Sequence, residues 1–211
     1  MFILASGSPR RRELLQQIGA SFQVVVSEAE ELSGASLPPG ELVKENAVRK
    51  AKAVAREHRG VPVLGADTVV FLDGRVFGKP QDEAEARDML RMLSGREHEV
   101  ATGFAWVTGY EVLTEVVTTR VFFGTLSDAD IDAYIRTGEP MDKAGAYAVQ
   151  GRAAAFIESI EGSFSNVVGL PLFDVCRLPE RQESISMTIM VKDLPREERP
   201  REKLLAYGAS A

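Results

Sequence analysis

Three consecutive arginines, Arg10, Arg11 and Arg12, follow Ser6-Gly7-Ser8-Pro9 near the start of the chain. Backbone N–H groups at a helix N-terminus, preceded by glycine and serine, form an anion-binding nest. Cations in a first helical turn oppose the helix dipole, which favours acids there. A bound polyanion would compensate them; a solvated basic turn is the alternative. Asp67 is a second candidate, at the end of the apolar run Val63-Leu64-Gly65-Ala66 and followed by Thr68. A carboxylate at the carboxyl end of a buried strand can hold a metal or take a proton from water. The plainer reading is an Asp that caps a turn. Glu28, Glu30 and Glu31 cluster in a loop, either as solvated surface or as the source of an oxygen ligand for Mg²⁺ or Mn²⁺.

Lys79 lies in Gly78-Lys79-Pro80, a stiff turn that can aim its amine at a fixed point. Lys50 and Lys52 fall on a helix, where a solvated face is the simpler reading. Gln150, between Val149 and Gly151, carries donor and acceptor on one amide, which suits the edge of a base or the backbone of a turn. Gly162-Ser163-Phe164-Ser165-Asn166 reads as a ligand-cradling loop or a hairpin end.

The elements that must position these groups follow from periodicity and punctuation. Phe2 to Ala5 reads as a short strand, with Ser8 capping a helix that starts at Pro9 and ends near Gly19. Phe22 to Val26 reads as a second strand. Leu42, Val43, Ala47, Ala51 and Val54 place an amphipathic helix over Glu41 to His58. A strand from Val61 delivers Asp67 and continues extended to the turn Asp73-Gly74. A helix through Ala86 to Leu93 is closed by Gly95, and two long strands, His98 to Val107 and Glu111 to Phe123, meet at Gly109-Tyr110. Ser127 to Asp130 resembles a capping box. Ala154 to Ile160 reads as a strand, Gly162 to Asn166 as a polar loop, and Leu170-Pro171 opens a last helix. Hairpins mixed with crossovers predict an α/β or α+β fold with a mixed sheet. Ser184 to Met190 alternates like a strand, in a tail of different character from what precedes it.

Composition narrows the function classes. Lys and Arg number 25 against 31 Asp and Glu, a formal charge of −6, without the broad basic footprint of a duplex binder. No nucleic-acid partner is therefore expected. The two histidines, His58 and His98, argue against a His-rich zinc site and a Ser-His-Asp triad, leaving hydrolytic chemistry to carboxylates and hard cations. Cys176, the single cysteine, reads as a small buried hydrophobe. No apolar run reaches membrane-spanning length and no targeting signal is visible, so a soluble cytoplasmic protein without a membrane partner is expected.

These segments together resemble the Maf family of nucleotide pyrophosphatases. The resemblance is carried by Leu4-Ala5-Ser6-Gly7-Ser8-Pro9-Arg10-Arg11, Lys50-Ala51, Gly65-Ala66-Asp67-Thr68-Val69-Val70, Gly78-Lys79-Pro80 and Leu93-Ser94-Gly95. Gly138-Glu139-Pro140, Asp142-Lys143-Ala144-Gly145-Ala146-Tyr147, Gln150-Gly151 and Val167-Val168-Gly169-Leu170-Pro171-Leu172 continue it in the family's order. It implies a two-lobed α/β fold, a mixed twisted sheet around a long cleft shared with the inosine-triphosphate pyrophosphatases. It implies hydrolysis of nucleoside triphosphates to monophosphate and pyrophosphate with a divalent cation, Mg²⁺ or Mn²⁺. On the family pattern Asp67 is the general base, and Ser6, Arg11, Glu31, Lys50 and Lys79 belong to the active site; of these Glu31 is the candidate metal ligand and Ser6, Arg11, Lys50 and Lys79 are candidate phosphate binders. Arg10, Thr68 and Gln150 match the branch acting on dTTP and UTP. The branch preferring 7-methyl-GTP tends to carry Trp, Gln and Glu there. The resemblance covers a single catalytic domain at 1–178. The extension at 179–211 lies outside it, with a sheet edge or a homodimer contact as open readings. A pyrophosphatase for a modified nucleotide, and a non-enzymatic regulator of septum formation, stand as alternatives.

Overall fold

The computed structural model describes residues 1–33 and 37–181. Its centre is a mixed seven-stranded sheet of order β2-β1-β3-β5-β6-β7, with β4 paired to β3. The strands are β1 (Phe2–Leu4), β2 (Phe22–Val24), β3 (Val63–Leu72), β4 (Arg75–Phe77), β5 (Glu97–Thr108), β6 (Glu111–Phe123) and β7 (Ile157–Glu161). β1 runs parallel to β2 and β3, and the other pairings are antiparallel. Helices α1 (Pro9–Gln17), α2 (Pro39–Glu57), α3 (Glu83–Leu93), α4 (Asp128–Ile135), α5 (Phe164–Val168) and α6 (Leu172–Arg181) cover it.

The largest apolar clusters flank the cleft. In one, Leu90 and Leu93 of α3 and Ile131 and Tyr134 of α4 pack on Val70, Phe77 and Phe123. In the other, Leu14 and Leu15 of α1 and Val175 of α6 pack on Leu4, Leu64 and Trp106. Trp106 is 1% exposed and its Nε1 donates to the Val175 carbonyl at 3.1 Å. It thus ties α6 to the sheet by a hydrogen bond as well as by about 1.5–3 kcal/mol of apolar burial.

Helix α2 lies unusually close to the sheet, and two glycines make that possible. A Cβ on Gly65 would stand 2.3 Å from the Ala47 carbonyl oxygen, and one on Gly103 would stand 2.5 Å from the Val43 carbonyl carbon. Both are backbone atoms that cannot give way, so any side chain there would lift α2 and the groups it carries off β3.

Several expectations need correction. Asp67 lies in the middle of the ten-residue β3 and not at its end. Ala154 to Phe156 belong to a short 3₁₀ turn (Arg152–Phe156), and β7 begins only at Ile157. The segment read as a polar loop at Gly162 to Asn166 starts α5, with Ser163 as its cap, because the Ser163 hydroxyl accepts from the Asn166 N–H. Cys176 is only partly buried. Ser184 to Met190 lies outside the described residues.

Candidate active site

The site arises from a gap in strand pairing. β1 ends at Leu4, paired with Leu64, and β4 joins the same edge of β3 only at Val70. Between them β3 keeps one neighbour, β5, with Asp67 opposite Gly103 and Thr68 opposite Thr102. Successive strand residues face opposite sides, so Asp67 meets α2 on one face while Thr68 meets Arg11 on the other. A cleft of about 700 Å³ opens at this gap. Ser6, Arg10, Arg11, Glu31, Lys50, Asp67, Thr68, Lys79 and Gln150, the full set expected from the sequence, all line it.

On the α2 face, Lys50 Nζ donates to Asp67 Oδ1 at 2.8 Å and lies 2.8 Å from Glu31 Oε1. Asn46, one helical turn before Lys50, donates through Nδ2 to Asp67 Oδ2 at 3.0 Å. The same amide accepts from the Leu32 N–H at 2.8 Å and donates to the Leu32 carbonyl at 3.2 Å. Asn46 therefore holds the base candidate and the loop bearing Glu31 in one frame. Sequence reading missed it. The signal was a polar residue inside the stripe Leu42, Val43, Ala47, Ala51, four positions before Lys50 and so on the same face.

On the opposite face Arg11 is buried. Its Nε donates to the Gly169 carbonyl at 2.8 Å, Nη1 to Ser6 Oγ at 3.2 Å and Nη2 to Thr68 Oγ1 at 2.9 Å. Thr68 in turn contacts Thr102 Oγ1 at 2.9 Å, and Thr102 donates to the Asn166 carbonyl at 3.2 Å. Thr102 is a further support that no local sequence pattern announced, whereas Asn166 and Gly169 lie in segments marked by sequence whose partners were not legible there. Burial lowers the Arg11 pKa from its ordinary value, and the Asp67 carboxylate partly opposes that shift. None of its three acceptors is charged, so the guanidinium sits in low dielectric without a contacting carboxylate among the described residues.

Three groups differ in placement. Arg10 reaches Asp142 Oδ2 at 3.6 Å across the cleft. Lys79, on the irregular segment after β4, is exposed. Gln150 is exposed on the turn closed by the Gly151 N–H donating to the Ala148 carbonyl at 3.0 Å. No cluster of three or more metal-ligating side chains exists among the described residues. Two carboxylates, Glu31 and Asp67, do share one cation, Lys50. One or two carboxylates plus substrate phosphates is how Mg²⁺ is commonly held, so the donor set fits a cation that arrives with a polyphosphate rather than a resident ion. Among the described residues no helix is long and apolar enough to cross a membrane.

A protein of Bacillus cytotoxicus named dTTP/UTP pyrophosphatase is 50% identical over 176 residues, 83% of this chain and 92% of that one. One of the same name from Symbiobacterium thermophilum is 56% identical over 170 residues, 81% of this chain and 88% of its own. Among solved structures, the Ham1 protein of Staphylococcus aureus aligns over 58% of this chain and 71% of its own at 17% identity, with a TM-score of 0.43. The family model described as Maf-like protein matches residues 1–182, and the chain belongs to the Maf family.

Proposed function

We propose that this protein hydrolyses nucleoside triphosphates, dTTP and UTP in preference, to the monophosphate and pyrophosphate by attack of water at the α-phosphorus. The observation that carries this most is Arg11: a buried guanidinium held by three neutral oxygens, beside a cleft containing Asp67. Its charge is left for an anionic ligand to satisfy. The relatives at 50% and 56% identity support the choice of substrate.

In this reading Asp67 takes the proton of the attacking water. Lys50 and Asn46 occupy one lone pair on each of its oxygens, so a position for the proton remains on each. They also fix the carboxylate's direction, which proximity catalysis requires. Arg11, Lys50 and Lys79, with the Ser6 loop, bind the phosphates and stabilise charge as the α–β bond breaks. Glu31 is the ligand for Mg²⁺ or Mn²⁺, which supplies charge neutralisation when bound with the triphosphate. Gln150, with Arg10 and Thr68, selects the base; Thr68 acts through the placement of Arg11, on which its hydroxyl is already engaged. The catalytic unit is residues 1–178, acting in the cytoplasm.

The test is pyrophosphate release from a panel of nucleoside triphosphates, 7-methyl-GTP included, with Mg²⁺ or Mn²⁺. Release from dTTP and UTP, lost in Asp67→Asn, is expected. Preference for another nucleotide would keep the chemistry and reject the role of Gln150. No release from any nucleotide by folded protein would reject the reaction.

A further inference from the structure

Among the described residues the Gln150 side chain has no hydrogen-bond partner, yet its turn is secured from both ends by a pair of residues outside the cleft lining. Tyr134, on α4, is 3% exposed. Its hydroxyl donates to Glu139 Oε1 at 2.9 Å and accepts from the Ala148 N–H at 3.2 Å. The other carboxylate oxygen, Glu139 Oε2, accepts from the Arg152 N–H at 3.2 Å. Ala148 and Arg152 stand two residues before and two residues after Gln150. Between them, Gly151 packs on the carboxylate itself: a Cβ there would lie 2.1 Å from Glu139 Oε1. Three successive contacts thus join the turn carrying Gln150 to one phenol–carboxylate pair.

The same short segment also reaches the other group assigned to selection. Glu139 opens the 3₁₀ turn Glu139–Asp142. Asp142 at its end pairs with Arg10 at 3.6 Å, and Lys143 Nζ pairs with Asp142 and reaches back to the Glu139 carbonyl at 3.4 Å. Gln150 and Arg10 lie on separate elements, but both are tethered to residues 139–143. The ring of Tyr134 stacks edge-on against Phe156, with centroids 5.2 Å apart, which fixes the hydroxyl from behind. Burial and the bond to Glu139 raise the phenol's pKa, so it stays a donor across the working range of pH.

We propose that Tyr134 and Glu139 are positioning residues for nucleotide selection, setting the place of Gln150 relative to Arg10 without touching substrate. The proposal rests on the assignment of Gln150 to the base. A loosened clamp leaves Asp67, Lys50 and Arg11 where they are, because none of their hydrogen bonds runs through residues 134–152. Its removal therefore acts on discrimination and not on the chemical step.

Tyr134→Phe and Glu139→Gln test this. The first keeps the packed ring and the second keeps the volume, so folding is preserved. Dissociation constants for UTP, dTTP, CTP and GTP are measured by calorimetry in an Asp67→Asn background, where turnover is suppressed, and steady-state kinetics are measured with Asp67 intact. In each variant the ratio between the tightest- and weakest-bound nucleotide should shrink about three- to tenfold, the loss expected for one or two neutral hydrogen bonds. KM should rise for the preferred nucleotide with kcat within about twofold of the parent, as for lost uniform binding. Adding Gln150→Ala should produce no further loss of discrimination, because the three residues act as one unit. Unchanged ratios in both variants would overturn the proposal, as would an equal weakening for every nucleotide, the mark of a merely structural role. Nucleotide binding without hydrolysis by the parent would reject the reaction while the ratios still read the clamp. No binding of any nucleotide would overturn both.

Discussion

Arg11, Lys50 and Asp67 are 8%, 9% and 9% exposed, and each has a hydrogen bond to a neighbour on a helix or the sheet. Lys79 and Gln150, lining the same cleft, are exposed and ride on connections, Gln150 on a turn. The first group stands at the stretch of β3 that is paired on one side only, where strand, α1 and α2 converge; the second stands where connections pass over the surface. The buried half is ordered before a ligand arrives, so charge developing in a transition state meets groups that need not reorganise. The exposed half spends its hydrogen-bonding capacity on water until a ligand displaces it. Variants of Arg11, Lys50 or Asp67 should therefore damage rate, and variants of Gln150 selectivity, with Lys79 the exposed group that still serves the phosphates.

The largest effect is expected at Asp67. Asp67→Asn keeps the shape and loses the proton acceptor, so kcat should fall by about 10²- to 10⁴-fold. Triphosphate binding should survive, and calorimetry beside pyrophosphate release separates the two. Retention of near-full activity would show that the ordered half does not contain the base. Arg11→Lys comes next. Lysine keeps the charge but cannot reach the Gly169 carbonyl, Ser6 Oγ and Thr68 Oγ1 together, as the guanidinium does. A loss of about 10²-fold in kcat/KM is expected, of the order found on deleting one preorganised donor. A loss of only a few-fold would place Arg11 with the exposed group.

The contrast extends to what could be read from the chain. Capping by Ser8, the stripe on α2, the capping box at Ser127 and Asp130, and the turn at Asp73-Gly74 are local signals, and the structure matches them. Asp67, Arg11 and Lys50 were legible as motif residues. Their partners were not. Asn46 bonds Asp67 across 21 positions and Arg11 bonds Gly169 across 158, distances at which pairing depends on topology alone. The misplacement of Asp67 at a strand end has the same origin: an apolar run ending in Asp-Thr does not reveal that β5 continues the pairing beyond it. Ala154 to Phe156, the end of the 3₁₀ turn, read as strand because Ala154 to Ile157 is an unbroken apolar run, and short apolar runs carry little periodicity.

A buried group away from the reacting atoms sharpens the comparison through pH. His98 is 1% exposed, its Nε2 lies 2.9 Å from the Tyr147 hydroxyl, and Nδ1 has no partner among the described residues. Tyr147 lines the cleft, so His98 supports that wall from behind. Burial lowers its pKa from 6.5 to about 4. Above pH 6.5 the ring is neutral folded and unfolded, and its stabilising contribution is complete. As pH falls from 6.5 towards 4 the unfolded chain takes up the proton first, so stability declines, by at most about 3 kcal/mol at 1.36 kcal/mol per pH unit. Urea unfolding across that window should show the slope, and His98→Gln should flatten it. An unaltered slope in the variant would assign the acid sensitivity to carboxylates.

The smallest effect on the fold is expected at Gln150, and it is the sharpest test of the division. The side chain is exposed, so Gln150→Ala should move folding stability by no more than about 0.5 kcal/mol. If its amide meets the base, losing one neutral hydrogen bond should reduce the preference for UTP over CTP by about three- to tenfold. The kcat on the preferred nucleotide should stay near the parent value, because Asp67 and Arg11 keep all their partners. A fall in kcat with the preference intact would mean that the exposed turn serves closure over the phosphates, and that selection lies with the buried residues.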